Sequence, residues 1–163
     1  MDISPIEFSK FMKVAFNEYY SSTEDWKNLS NDFTQRVFDL VLEFNAYQGR
    51  AITQIDNSEI YSNPEVAQKE FETSKGLKKE WHVFVQKFSE LESMFENKYG
   101  AVLNSFDDFM KIDSNRKTFL SEYSAYSYLE SMYRPLASFE EYLDEYRDLC
   151  LKIKSQGQPN SGN

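Results

Sequence analysis

The chain has 163 residues, enough for one ordinary domain that buries roughly 70% of its unfolded surface without help from disulfides or metals. Its net charge is −9, from 18 basic and 27 acidic residues, which sets long-range electrostatics against phosphate backbones and anionic lipid surfaces and so against direct nucleic-acid binding. Aromatic residues make up 17%, led by 14 Phe and 11 Tyr, so the core is expected to be built from large rings.

Only five glycines and four prolines occur, and apolar residues recur at spacings of three and four rather than alternating. Together these features predict an all-α chain, a single-domain bundle of about six helices over residues 1–154. "SPIE" at Ser4 to Glu7 has a Ser cap, Pro at the first helical position and Glu three residues after the cap, so a helix should start there. The next start falls at "SSTED", with Ser22 or Thr23 as cap and Glu24 and Asp25 against the positive end of the macrodipole. The long helix that follows, roughly 24–56, carries Trp26, Phe33, Val37, Leu40, Phe44 and Tyr47 on one stripe. Phe38 and Leu42 fall on the other side, which predicts a strut buried between neighbours.

"SNPE" at Ser62 to Glu65 repeats the cap-then-proline start and opens a second long helix, roughly 64–99, packed antiparallel to the first. A bend or break is expected near Gly76, and Gly100 is read as the C-terminal glycine. A short helix fits "SFDDFMKI", and another fits Asn115 to Tyr133, ended by Pro135. The last helix is expected to begin at the capping box "SFEE", Ser138 to Glu141, and to run to about Lys154. "SQGQPNSGN", residues 155–163, has the composition of a disordered tail.

Most familiar chemistries lack their residues. His82 is the sole histidine, so neither a Glu-x-x-His pair of di-iron sites nor a zinc ligand set can be assembled, and no metal or cofactor is expected. "DSNRKTFLSEYS" from Asp113 fails as a calcium loop, with Thr118 in place of the glycine and Ser124 in place of the last glutamate. The glycines are too scattered to cradle a nucleotide phosphate, and no strand-to-helix elbow presents a nucleophile. The chain is therefore read as a non-enzyme. Cys150, the only cysteine, suits a buried position in a reducing compartment. The first twenty residues lack the pattern of a signal peptide, and nothing approaches the roughly 20 apolar residues of a membrane span, so the expected location is cytoplasmic, away from membranes.

Function is then expected on a surface that binds another protein, as an adaptor, regulator or inhibitor. In "FLSEYSAYSYLESMYRPL", Phe119 to Leu136, the residues Tyr123, Tyr126, Tyr128, Met132 and Tyr133 spread around the helix, and Tyr and Met favour binding surfaces. They form the first candidate contact surface. The outer face of the last helix, Glu140, Glu141, Asp144, Glu145 and Asp148, is the second; with Glu92, Glu96, Asp107 and Asp108 it would imitate a phosphate backbone and block a nucleic-acid-binding protein. A third alternative is phosphotransfer through His82, which falls off the apolar stripe of its helix and so faces solvent. Helices with two apolar faces also leave room for a homodimer.

Overall fold

The Ser4 hydroxyl accepts the Glu7 amide at 3.2 Å and the Glu7 carboxylate accepts the Ser4 amide at 3.4 Å, so helix α1, Pro5–Tyr19, starts at its expected capping box. The computed structural model describes residues 3–157, and all the regular structure among them is helical. Five helices have 15 residues or more: α1, α2 (Asp32–Asp56), α3 (Ala67–Ala101), α5 (Asp113–Ser131) and α6 (Tyr133–Gly157). Helix α4, Phe106–Met110, is little more than one turn, so the all-α bundle has five substantial helices where about six were expected. No helix among the described residues is long and apolar enough to cross a membrane.

The residues group into two compact units, Met1–Val41 with Lys87–Met132, and Leu42–Gln86 with Tyr133–Asn163. In the first unit Phe33 packs on Phe95 at 5.9 Å between ring centroids and Arg36 Nη1 approaches Met94 Sδ at 3.9 Å. In the second unit Phe44 meets Phe84 at 5.4 Å and Arg50 pairs with Glu80 at 3.1 Å. Within each unit the partners on α3 descend as α2 ascends, which makes the two long helices antiparallel as expected.

Phe95 is the centre of the first unit. Tyr126 stacks on it at 4.1 Å, Tyr99 lies at 4.6 Å, and Phe8 approaches edge-on at 6.3 Å. Phe119 completes this ring core by edge contacts with Tyr99 and Phe106. In the second unit Tyr47, Phe84 and Phe139 form the corresponding cluster, and the Trp81 indole donates to the Leu136 carbonyl at 2.9 Å. A smaller core of Ile60, Ala67, Tyr146 and Cys150 packs against Ile55, Val66 and Phe71. The expected aromatic core is thus built twice, once in each unit.

Several boundaries differ from the sequence expectation. Helix α2 starts at Asp32, well after residue 24, because the Asn31 side chain accepts the Thr34 amide at 2.8 Å and supplies the cap. Upstream, Asp25 has a left-handed φ of 66° and Trp26–Asn28 form a single 3-10 turn, with Trp26 edge-on to Phe16. Helix α3 runs without a break for 35 residues, through Gly76, around which a side chain would meet nothing within 4 Å. The cost of one helical glycine, about 1 kcal/mol, is small beside the burial of Leu77 and Trp81 that follow it. Gly100 lies inside the helix and has no positive φ.

Pro135 does not end a helix either. Helix α5 stops at Ser131, α6 begins at Tyr133, and Pro135 sits in its first turn, where the missing N–H has no helical partner to lose. "SFEE" is therefore inside α6 rather than its start. At the other end α6 continues through residues 155–157, further than expected, and residues 158–163 of the expected tail lie outside the described residues.

Candidate functional site

The tyrosines and Met132 around helix α5 were expected to face a partner, and the first unit buries Tyr126 and Met132 and half-buries Tyr123 instead. Tyr126 is 3% exposed beneath its stacking contact with Phe95, and Met132 is also buried. Tyr123 is half-buried among Phe16, Phe95 and Phe119. The physical reason is that α5 packs against α1, the Trp26–Asn28 turn and α4, so most of its circumference faces neighbours. Ser121 belongs to the same packing: it accepts from the Asn31 side-chain amide at 3.1 Å and donates to the Leu29 carbonyl at 3.2 Å. Tyr128 alone of the five is exposed, with its ring 6.3 Å from that of exposed Phe38. Tyr133 is partly buried in the second unit.

The acidic face of α6 is also less open than expected. Lys78 reaches Glu140 at 3.2 Å and Asp144 at 2.6 Å, and Arg147 reaches Asp144 at 3.3 Å and Asp148 at 3.1 Å. Glu141 and Glu145 face solvent. His82 is exposed on α3, with the Trp81 ring edge-on at 5.0 Å. Among the described residues no group of three His, Cys, Asp or Glu side chains is arranged to hold a metal ion.

What the first unit does assemble is an acidic cleft of about 350 Å³ between the start of α1 and helices α3 and α5. Pro5, Ile6, Ser9 and Lys10 line one side, while Glu92, Glu96, Tyr126 and Glu130 line the other. The helical period sets this arrangement: Glu92 and Glu96 are one turn apart on α3, as are Tyr126 and Glu130 on α5. Stacking on Phe95 fixes the Tyr126 ring, and its hydroxyl donates to Glu96 Oε1 at 3.2 Å. The capping box at Ser4 and Glu7 holds the first turn of α1, and with it Pro5 and Ile6, in place.

Burial and the neighbouring Glu92 carboxylate push the Glu96 carboxyl above its ordinary value, against the opposing hydrogen bond from Tyr126. The Tyr126 hydroxyl is itself held far above the usual phenol range, first by burial and then by Glu130 and Glu96. Tyr126 is thus a hydrogen-bond donor at all ordinary pH. Three carboxylates facing one ammonium make the cleft an acceptor of cationic or N–H-bearing groups, and exposed Ile6 beside it offers apolar area.

A second charged group lies deeper in the same unit. The Glu122 carboxylate is 6% exposed, and its Oε1 accepts from Tyr99 at 2.5 Å and Lys98 at 2.7 Å. Neither this pair nor the cleft was anticipated as a site, although Glu92 and Glu96 were counted among the acidic surface residues. The one signal in the sequence was the like-charged pair at positions i and i+4. Comparison with protein-family models, with curated proteins and with solved structures finds no match.

Proposed function

We propose that the chain is a non-enzymatic protein-binding module, an adaptor, regulator or inhibitor, that makes contact through the acidic cleft of its first unit. The observation that carries this reading is the convergence of Glu92, Glu96 and Glu130 on a concave surface where, among the described residues, Lys10 is the one cationic side chain, together with the exposed side chain of Ile6. A cleft of this kind suits a basic segment of another protein, with an arginine or lysine head among the carboxylates and its alkyl stem along Pro5 and Ile6. Buried Cys150, the sole thiol, fits the reducing cytoplasm expected for such a protein.

The test is affinity capture from the native cell with the wild type and a Glu92→Lys/Glu130→Lys variant of unchanged circular dichroism. Partners that the variant loses support the cleft, and partners retained equally by both reject it. Charge mimicry of nucleic acid has less support, because Lys78 and Arg147 engage Glu140, Asp144 and Asp148 on α6. Phosphotransfer rests on the single exposed ring of His82, and a phosphodonor that fails to label the protein at an acid-labile site removes it.

A further inference from the structure

Tyr61 stands apart from the other tyrosines of the described residues. Its side chain is 81% exposed, whereas Tyr20 and Tyr128, the next most open, are at 47% and 45%. Tyr20 is stacked on Phe16 at 5.7 Å, and Tyr128 lies within α5, where the backbone is committed to helical hydrogen bonds. Tyr61 belongs to the loop between α2 and the 3-10 turn Pro64–Val66, outside any helix. Its neighbour Ile60 is 1% exposed in the small core of the second unit, so the loop is tethered at that residue while the next side chain projects outward. The Glu59 carbonyl accepts the amides of Ser62 at 3.1 Å and Asn63 at 2.7 Å, which folds the backbone around Tyr61 into a turn. The surrounding sequence, "DNSEIYSNPE" from Asp56 to Glu65, contains three acids and no base.

We propose that Tyr61 is a phosphorylation site for an ATP-dependent protein tyrosine kinase with a basic substrate cleft. Charge pattern along the sequence around the acceptor is one means by which kinases choose substrates, and every charge within residues 56–65 is negative. The Tyr61 phenolic oxygen attacks the γ-phosphorus of ATP, the bond to the β–γ bridging oxygen breaks, the phenolic proton passes to the kinase's base, and ADP leaves. The product is a dianionic group on a tethered loop, a form suited to recognition by arginine side chains. This site is independent of the cleft, since Tyr61 lies in the second unit and the cleft residues in the first.

The test incubates the full chain with ATP and a purified acid-directed tyrosine kinase and maps the product by mass spectrometry. A peptide of residues 56–65 serves as a second substrate. The expected result is one phosphate, at Tyr61, lost in Tyr61→Phe and retained in Tyr20→Phe and Tyr128→Phe. Incorporation that persists in Tyr61→Phe, or that maps to another tyrosine, overturns the proposal. So does labelling of the peptide but not of the folded chain, and so does failure to label either.

Discussion

Tyr99 and Glu122 share a 2.5 Å hydrogen bond inside the first unit, one ring wholly buried and the carboxylate nearly so. The phenol is the donor, and burial together with Glu122 holds its ionisation far above the usual range. A buried carboxylate needs such a partner, because Lys98, the other group on the same oxygen, is half exposed and screened by water.

Removing that hydroxyl should therefore be costly. Tyr99→Phe is expected to lower stability by about 1.5–3 kcal/mol, the usual value of a hydrogen bond to a charged group. Lys98→Met should cost about 1 kcal/mol or less. Urea denaturation of the two variants measures the difference, and a loss in Lys98→Met as large as or larger than that in Tyr99→Phe would overturn the phenol as the main support of Glu122.

Tyr126 and Tyr128 are two residues apart and should behave oppositely. Tyr126→Ala removes a ring stacked in the core and is expected to cost about 3–5 kcal/mol. Tyr128→Ala, at an exposed position, should stay within about 0.5 kcal/mol. Thermal melts of both decide it, and only the second variant is usable in a binding assay.

The acidic cleft should respond to pH through Glu96. Its carboxyl is raised above the ordinary 4.5 in the folded protein, so the folded form holds a proton that the unfolded chain has released. The stability from this group is complete below 4.5 and is lost as pH rises through the folded value. An NMR titration of the Glu96 side chain should give a midpoint above 4.5 that falls towards it in Glu92→Gln. A midpoint unmoved by that substitution would exclude Glu92 as a cause and leave burial with Glu130.

Cys150 should be inert while the protein is folded. It is fully buried, and that burial raises its thiol above the ordinary value. A thiol-reactive chromophore is expected to react with it at the rate of opening, and at once in denaturant. Rapid labelling without denaturant would show that the small core at Ile60, Ala67 and Tyr146 opens readily.

Fold class, the antiparallel long helices and the capping box at Ser4 were legible because each is written in local signals: periodicity, scarce glycine and cap residues. The boundaries that differ have one physical origin, namely that tertiary contacts outweigh local cap and proline signals. Thr23 and Ser22 are good caps, yet Asn31 caps α2, and Trp26 packs beside Phe16 instead of extending the helix backwards. Pro135 reads as a terminator only if the helix is assumed to precede it. Tyr126 and Met132 are core rather than surface, a difference invisible in sequence because a helix apolar on all sides looks the same whether it is enclosed by its own chain or by another. The cleft stayed hidden because Glu92 and Glu130 are far apart in sequence and meet only in the fold. Two borders of the units, 41/42 and 86/87, left no mark, since they fall inside α2 and α3 rather than at a linker, while the third, 132/133, falls between α5 and α6.

Those borders bear on how the protein is made. Each unit is assembled from two stretches separated along the chain, so neither can be isolated by trimming from one end. As the polypeptide leaves the ribosome, residues 1–41 must wait, with Phe8, Met12 and Phe33 unburied, until residues 87–132 have been synthesised. At a synthesis rate of about 5–20 residues per second that interval lasts several seconds, during which the nascent N-terminal helices are open to chaperones or to aggregation.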